Sequence, residues 1–545
     1  LRGASAGAIG LLLSPLLQRA MAEQPVTGAA PNIIVMMVDD MGYSDLSCFG
    51  SEIATPNLDA IAAEGVRITN FHNTARCCPS RASIMTGLHP QQTGMGYMVG
   101  GAKGPNQPGY SGSLSKPHVT LANVLGQAGY STAISGKWHL NPGDPKVEGF
   151  ERTEYYELRG SRSYFAEVPA KGRMNEKFAY ITDWFGDGVC DYITAAAAPS
   201  ASRKPFFIYW TPTAPHYPLH AKVKDIEKHK GAYKAGPQAV AAARYQRMVK
   251  MGIVDGTWPY AVPDEVANPD TAYRTDVRTD ADAYPPKGNL VRRKSSQLQS
   301  SRPAASFEEM MEIYAAMVDC MDQNVGKVIA KLKETGQYEN TLILFCADNG
   351  ASPEAEAAGK TWGQVSDTPF RKWKMSTYGG GNRTSCIISW PKRVAASAKG
   401  SINRTYGHLL DVMPTVIDAA RGAGAKYPAK DGKGRALPPL EGKSLLPVLE
   451  GKRVPMPKPL CVEHRGNLAV ITEEWKIVSD GGEPWRLYSM RSDPLEREDV
   501  AKDHPKLVMQ MARQWQEWAD RVDAPANSNN ADDSKARIKH DSMTP

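Results

Sequence analysis

The stretch TLILFCADNG (341–350) sets an uncharged run, Thr341 to Ala347, directly against Asp348, Asn349 and Gly350. A continuous apolar run ended by polar residues reads as a strand buried on both faces, the kind found inside a parallel sheet. The arrangement recurs along the chain. Asn32 to Val38 (NIIVMMV) runs into Asp39 and Asp40; Tyr130 to Ser135 runs into Gly136, Lys137, Trp138 and His139; Phe206 to Trp210 leads to Ala214, Pro215 and His216. Ligands of such sheets gather beyond the carboxyl ends of the strands, so these polar tips are expected along one edge.

Helix signals lie between the runs. Thr55 and Pro56 read as cap and first-turn proline ahead of Leu58, Ile61 and Ala62, with Gly65 as the stop. Ser306 and Glu309 read as a capping box, followed by a core stripe of Met310, Ile313, Met317, Met321, Val325, Val328 and Leu332. Alternation of such helices with strands predicts an α/β fold: a large, mostly parallel sheet sandwiched by helices. Residues 31–454 are expected to form the main domain, with a long, partly helical insertion at about 220–305 over the strand ends. A small C-terminal α+β subdomain is expected at 455–523, from short strands at Leu468–Ile471, Trp475–Val478 and Trp485–Ser489 and a helix from Pro505 to Trp518. A flexible polar tail, 524–545, follows.

With 545 residues, 41% hydrophobic, the chain can bury a large core. Its net charge of +7 is mild for that size and implies no nucleic-acid partner. The opening LRGASAGAIGLLLSPLLQRAMAEQ resembles the remnant of a secretory signal with a small-residue cleavage site, so residues 1–22 are set apart and export, periplasmic or secreted, is expected. That apolar part is too short and interrupted to span a bilayer, and no stable membrane insertion is expected. The eight cysteines, at 48, 77, 78, 190, 320, 346, 386 and 461, suggest neither a zinc framework nor a disulfide lattice. Cys320, Cys346 and Cys386 read as buried thiols.

Cys77 and Cys78 stand apart. In CCPSRASIMTG (77–87), Pro79 is placed to start a helix that Gly87 ends, with the two thiols beside an N-terminus that welcomes an anion. Read alone, the run also suits a low-pKa nucleophilic cysteine or two thiols capping a helix.

This run resembles the signature of the sulfatase family, C-x-P-S-R followed by T-G, whose first cysteine is oxidised to formylglycine. Pro79 and Arg81 fix the register on Cys77, because Cys78 is followed by Ser80 and Ala82 at the same offsets. The resemblance extends from about Pro31 into the C-terminal part and is nearest to bacterial arylsulfatases. It implies the alkaline phosphatase/sulfatase type of α/β fold. It also implies one calcium ion held by Asp39, Asp40, Asp348 and Asn349 together with the oxygen of residue 77. Carboxylates and an amide without histidine suit such a hard cation. The catalytic set carried over is Cys77, Arg81, Lys137, His139, His216, Asp348 and Lys374, with Lys372 as the rival to Lys374.

The implied reaction is sulfuric ester hydrolysis. A hydroxyl of the hydrated aldehyde, activated near the metal and Asp348, attacks sulfur to give a covalent sulfo-enzyme; His216 and Lys374 assist the leaving group, and His139 takes the proton that releases sulfate. The implied partners are a formylglycine-generating maturation enzyme and a sulfated small-molecule or glycan substrate. Where the family usually reads Y-E-G-G or H-E-G-G, this chain has Tyr378, Gly379, Gly380 and Gly381, so a glutamate is missing. His408, Glu463 and His464 stay open between lining the cleft and packing. Two other readings remain: a phosphate or phosphonate ester hydrolase of the same superfamily, and a binder of sulfated glycans with Cys77 unconverted.

Overall fold

Successive strand side chains point to opposite faces, and β1 (Asn32–Val38) shows what that means for an unbroken apolar run: Ile34, Met36 and Val38 enter one core cluster while Ile33, Val35 and Met37 enter another. The computed structural model describes residues 30–101, 107–160, 163–165, 180–198, 204–262, 278–279, 305–354 and 357–525. The expected signal remnant at 1–22, nearly all of the expected tail and most of the insertion beyond residue 262 lie outside the described residues.

After β1 come β2 (Val66–His72), β3 (Ser131–Lys137), β4 (Arg152–Glu157), β5 (Phe206–Thr211), the two-residue β6 (His220–Ala221) and β7 (Arg278–Thr279), β8 (Thr341–Ala347), β9 (Arg383–Ser389) and β10 (Ser401–His408). β6 and β7 pair with each other, and the other eight form one sheet in the order β10-β2-β9-β8-β1-β5-β3-β4. The four runs singled out in the sequence are its contiguous centre, β8-β1-β5-β3, all parallel. β9 runs antiparallel to both β8 and β2, so the sheet is mixed. The third run is displaced from its expected bounds: it ends at Lys137, which is therefore a strand residue.

The Phe307–Glu334 helix covers one face. Its capping box is formed, with Ser306 Oγ accepting from Glu309 N at 3.2 Å and Glu309 Oε2 accepting from Ser306 N at 2.8 Å, and its whole expected stripe is buried. The Pro56–Glu64 helix starts on its proline, but Thr55 does not cap it. Asp322 of the long helix does so instead, accepting from Asn57 N at 3.1 Å and Leu58 N at 2.8 Å. The described part of the insertion holds helices Val223–His229 and Gly236–Lys250.

A second sheet follows: β11 (Leu460–His464), β12 (Asn467–Ile471), β13 (Trp475–Ser479) and β14 (Arg486–Ser489), an antiparallel meander. β11 has no counterpart among the expected strands, and the expected final strand begins one residue later, at Arg486. One face, through Val462, Ala469, Ile471 and Val478, packs on Tyr378, Tyr406 and Leu410 of the main body. The other, through Leu468, Val470, Ile477 and Leu487, lies under Trp515 and Trp518 of the Pro505–Val522 helix.

Two buried carboxylates fix this docking. Glu463 accepts from Tyr110 OH at 2.5 Å, Gln91 Nε2 at 3.0 Å and Gly466 N at 3.2 Å. Glu496 accepts from Gly379 N at 2.7 Å, pairs with Lys476 at 2.5 Å, and its carbonyl accepts from Arg371 Nη1 at 2.6 Å. Close packing explains the two glycines that follow Gly379, the position where the family has glutamate. A Cβ on Gly380 would stand 2.0 Å from the Lys372 carbonyl oxygen, and one on Gly381 2.1 Å from that of Ser376. The loop carrying Lys374 is wrapped directly on glycine backbone, and Glu496 brings a carboxylate to it from the distant chain.

Glu496→Ala leaves the Lys476 ammonium, 1% exposed, without its counter-charge, at an expected cost of about 3–5 kcal/mol; urea unfolding should show this, with Glu496→Gln losing less. Burial pushes the Glu463 carboxyl up from 4.5 to about 7, against its hydrogen bonds. The folded state then holds a proton that the unfolded state has shed. This contribution to stability is full below 4.5 and is lost as pH rises through about 7. The stability difference between wild type and Glu463→Gln should accordingly shift by about 3 kcal/mol over that window, at roughly 1.4 kcal/mol per pH unit; a flat difference would contradict it.

Candidate active site

The carboxyl ends of β1, β8, β5 and β3 bring their polar tips to one place. Asp39 continues β1 by bridging to Pro215 beyond β5. Asp40 then takes a left-handed conformation, φ 61°, which aspartate tolerates better than most residues. Its amide faces Asp348 Oδ1 at 3.4 Å. Asp39, Asp40, Asp348 and Asn349 are all at most 1% exposed.

Buried charge must be paired, and here it is paired in a ring. Arg81 Nη2 donates to Asp348 Oδ2 at 2.9 Å and lies 3.5 Å from Asp39 Oδ2, while its Nη1 donates to the Lys137 carbonyl at 2.8 Å. The Lys137 ammonium donates to Asp39 Oδ2. Asp40 accepts from Asn349 Nδ2 and Lys374 Nζ, each at 2.7 Å, and has His216 Nε2 at 3.5 Å. Burial alone would push the Asp39 carboxyl up, but Lys137, His216 and Arg81 hold it below the ordinary range. Asp348 is pushed well up, by burial and then by Asp39.

Cys77 opens the Cys77–Thr86 helix, which begins two residues before Pro79, so both thiols lie in its first turn. Cys77 Sγ, Cys78 Sγ and a ring nitrogen of His139 lie within 4.8 Å of one another. The hydrogen bond from Cys78 draws the Cys77 thiol well below its usual range against burial, helped by His139 and Lys137. The same surroundings push Cys78 up, through burial and its bond to Cys77. Position 77 is therefore where this pocket favours negative charge. Burial and then Lys137 lower His139 to about 4, leaving its ring neutral near pH 7.

The oxygens present fit a hard cation. Asp39 Oδ1 and Asn349 Oδ1 are buried acceptors with no donor among the described residues, and Asp40 and Asp348 flank them. Contrary to the histidine-free set expected, a His216 ring nitrogen lies within 4.8 Å of ligand oxygens of Asp39 and Asp40; oxygen still makes up most of the donors, which suits calcium or magnesium chemistry.

Lys374, not Lys372, reaches the constellation: Lys374 is 2% exposed on Asp40, whereas Lys372 lies over the Trp373 ring, 5.4 Å from its centre. His216 Nδ1 donates to the Tyr217 carbonyl at 2.5 Å and its ring stacks on Tyr217, which leaves Nε2 toward Asp40. His408 accepts from Leu410 N at 3.1 Å, a backbone-holding role, and Glu463 holds its own hairpin. Arg76, Met98 and Glu354 also border the site and were not singled out in the sequence: Met98 Sδ is 3.9 Å from Cys77 Sγ, and Glu354 is 3.9 Å from Lys374. Arg76, a cation directly preceding Cys77, was legible; Met98 and Glu354 carry no local signal.

Among solved structures, that of Ps i-CgsB in complex with k-i-k-neocarrahexaose superposes with a TM-score of 0.64 at 23% identity, covering 94% of this chain and 98% of that one. An arylsulfatase of Klebsiella aerogenes is 28% identical over 459 residues, 76% of this chain and 91% of its own. An uncharacterised sulfatase of Schizosaccharomyces pombe is 28% identical over 552 residues, 89% and 92% of the two chains. The sulfatase family model matches residues 31–423, the segment that carries the whole constellation, and the chain belongs to the sulfatase family.

Proposed function

We propose that this protein hydrolyses sulfate esters of the arylsulfatase type, with Cys77 converted to formylglycine by a maturation enzyme and one calcium ion held by Asp39, Asp40, Asp348, Asn349 and residue 77. The observation that supports this most is the meeting of Cys77 with three buried cations, Arg81, Lys137 and Lys374, and with acceptor oxygens left unpaired at Asp39 and Asn349. When present, the ion supplies fixed positive charge toward sulfate oxygens, and the hydrated aldehyde supplies one hydroxyl to attack sulfur and a second whose deprotonation frees sulfate.

The chain's own residues divide the remaining work. Arg81 and Lys137, locked between Asp39 and Asp348, stabilise charge on the sulfate oxygens without reorganising. Asp348 orients the attacking hydroxyl and accepts its proton. His139, neutral near pH 7, takes the proton from the second hydroxyl. Lys374 and His216, on the Asp40 side, give a proton to the departing oxygen. A thiol has no second hydroxyl to deprotonate, so unconverted protein should be nearly inactive.

A sulfated saccharide is the substrate class we favour, in keeping with the mild positive balance and with the saccharide bound by the structural neighbour. The opening segment supports export; no described helix is long and apolar enough to cross a membrane. The rival reading is phosphate or phosphonate ester hydrolysis, since the same cations would receive a phosphoryl group.

Mass spectrometry of the peptide spanning residue 77 should show formylglycine, and that protein should turn over 4-nitrophenyl sulfate far faster than 4-nitrophenyl phosphate. Cys77→Ala should lose at least about 10³-fold in kcat. Converted protein that prefers the phosphate ester would overturn the sulfatase reading in favour of its rival. Lys374→Ala should lose roughly 10²-fold or more in kcat, and more for alkyl than for nitrophenyl sulfates because the poorer leaving group needs the proton. Lys372→Ala, at a half-buried side chain over Trp373, should lose far less, within about threefold of wild type; equal losses at the two lysines would contradict the assignment.

A further inference from the structure

Next to the constellation stands a cation, Arg76, that forms no ion pair among the described residues. Arg76 is the N-cap residue of the Cys77–Thr86 helix and makes no side-chain cap bond. Its Nε reaches the Met98 sulfur at 3.4 Å, a weak acceptor, and its Nη1 is buried with no acceptor among the described residues. A guanidinium here is opposed both by the positive end of the helix and by burial. The negative groups at Cys77, Glu354 and Asp40 outweigh that burial and favour its charged form. No carboxylate among the described residues comes within ion-pair distance of it.

A second group lies within electrostatic reach of Arg76. His464, at the end of β11, is 0% exposed; its ring nitrogens make no hydrogen bond of full geometry to the described residues, and the Gly96 backbone is a weak partner. Its ring stacks on Tyr97 at 6.2 Å, and the Arg465 guanidinium sits 5.9 Å from the centre of the Tyr97 ring. Tyr97 is followed by Met98, whose sulfur touches both Arg76 and Cys77. Burial and then the charges of Arg76 and Arg465 lower His464 to about 3, which leaves its ring neutral and able to donate one N–H.

The hairpin that presents these groups is built for its position. Arg465 and Gly466 both have positive φ, 54° and 81°, the pattern of a tight two-residue turn. The Glu463 carboxylate clamps that turn to Tyr110 and Gln91, and the Arg465 amide donates to Tyr110 OH at 3.0 Å. A buried carboxylate with four donors around its hairpin fixes His464 and Arg465 against Tyr97, beside residue 77.

We propose that Arg76, His464 and Arg465 form a second anion subsite next to residue 77, which receives a further sulfate or a carboxylate on the same substrate molecule. The inference rests on the sulfate-ester reading and narrows it: the substrate is a saccharide carrying at least two anionic groups, one cleaved and one held. Arg76 supplies a fork of donors suited to a planar or tetrahedral oxyanion, His464 one N–H, and Arg465 a charge at the rim.

The test measures inhibition of 4-nitrophenyl sulfate turnover by matched hexose monosulfates, hexose disulfates and uronic acid monosulfates. Wild type should bind the disulfates at least about tenfold more tightly than the monosulfates, the magnitude of a charge-assisted contact, and the uronate arm shows whether carboxylate serves as well as sulfate. Arg76→Gln should bring that ratio below about threefold. Arg465→Gln, at an exposed position, should lower it in the same direction. A wild-type ratio near one, or a ratio kept in both variants, overturns the subsite. If converted wild type fails to hydrolyse 4-nitrophenyl sulfate at all, it is the underlying sulfatase reading that falls.

Discussion

Three carboxylates and three cations share one water-poor place at the end of the central sheet, and none of them could be there alone. Asp39, Asp40 and Asp348 are each at most 1% exposed, as are Arg81 and Lys137, with Lys374 at 2%. An isolated buried charge would cost several kcal/mol, and removing one member of such a pair typically costs about 3–5 kcal/mol because its partner is stranded. The fold supplies them in register. Parallel strands β8, β1 and β5 end side by side, so the backbone itself sets the acidic tips next to one another, and Arg81 arrives from the helix that Cys77 opens. Among the described residues, the acceptor oxygens that remain unpaired, at Asp39 and Asn349, lie inside this network together with two unpaired nitrogens, Arg81 Nε and His139 Nδ1.

The same constraint governs the loop that brings Lys374. Its ammonium reaches Asp40 only because the loop closes on glycine backbone: a Cβ on Gly350 would stand 1.8 Å from the Gly380 carbonyl oxygen. Lys374 N donates to the Ala351 carbonyl at 3.0 Å, and Met375 N to that of Ala75 at 2.8 Å, which ties this loop to both the β8 tip and the segment before Cys77. The loop after β14 of the small C-terminal sheet adds the Glu496 bonds to Gly379 and Arg371. A segment more than a hundred residues away in sequence thus stabilises the geometry of a cation in the pocket.

Much of this was legible in the sequence because burial on both faces leaves a mark. β1 and β8 are apolar at every interior position, which fixes their bounds to the residue, whereas β3 carries Ser, Gly and Lys and was placed too early. The antiparallel β9, and β10 parallel to β2 at the sheet edge, contain Arg, Thr, Asn and His, whose partners lie far along the chain, and nothing local marks them as strands. Thr55 reads as a cap because its type suits one, yet Asp322, 264 residues from Leu58, takes that role. The polar tips were found because each follows a strand at once. Met98, Glu354 and Glu496 were not, because only tertiary packing brings them near.

The two adjacent cysteines show how sequence register and electrostatics converge by separate routes. Proline and arginine two and four residues on single out position 77, a statement about spacing alone. The surroundings single it out again: Cys78 donates toward Cys77, His139 and Lys137 add positive character, and the first turn of the helix points its free amides outward. The thiol of Cys78 is driven the other way by burial and by that same bond. An anionic oxygen at 77 would therefore meet donors already aimed at it, whereas one at 78 would have to displace packed side chains. The pocket distinguishes two residues of identical chemistry by where the helix begins.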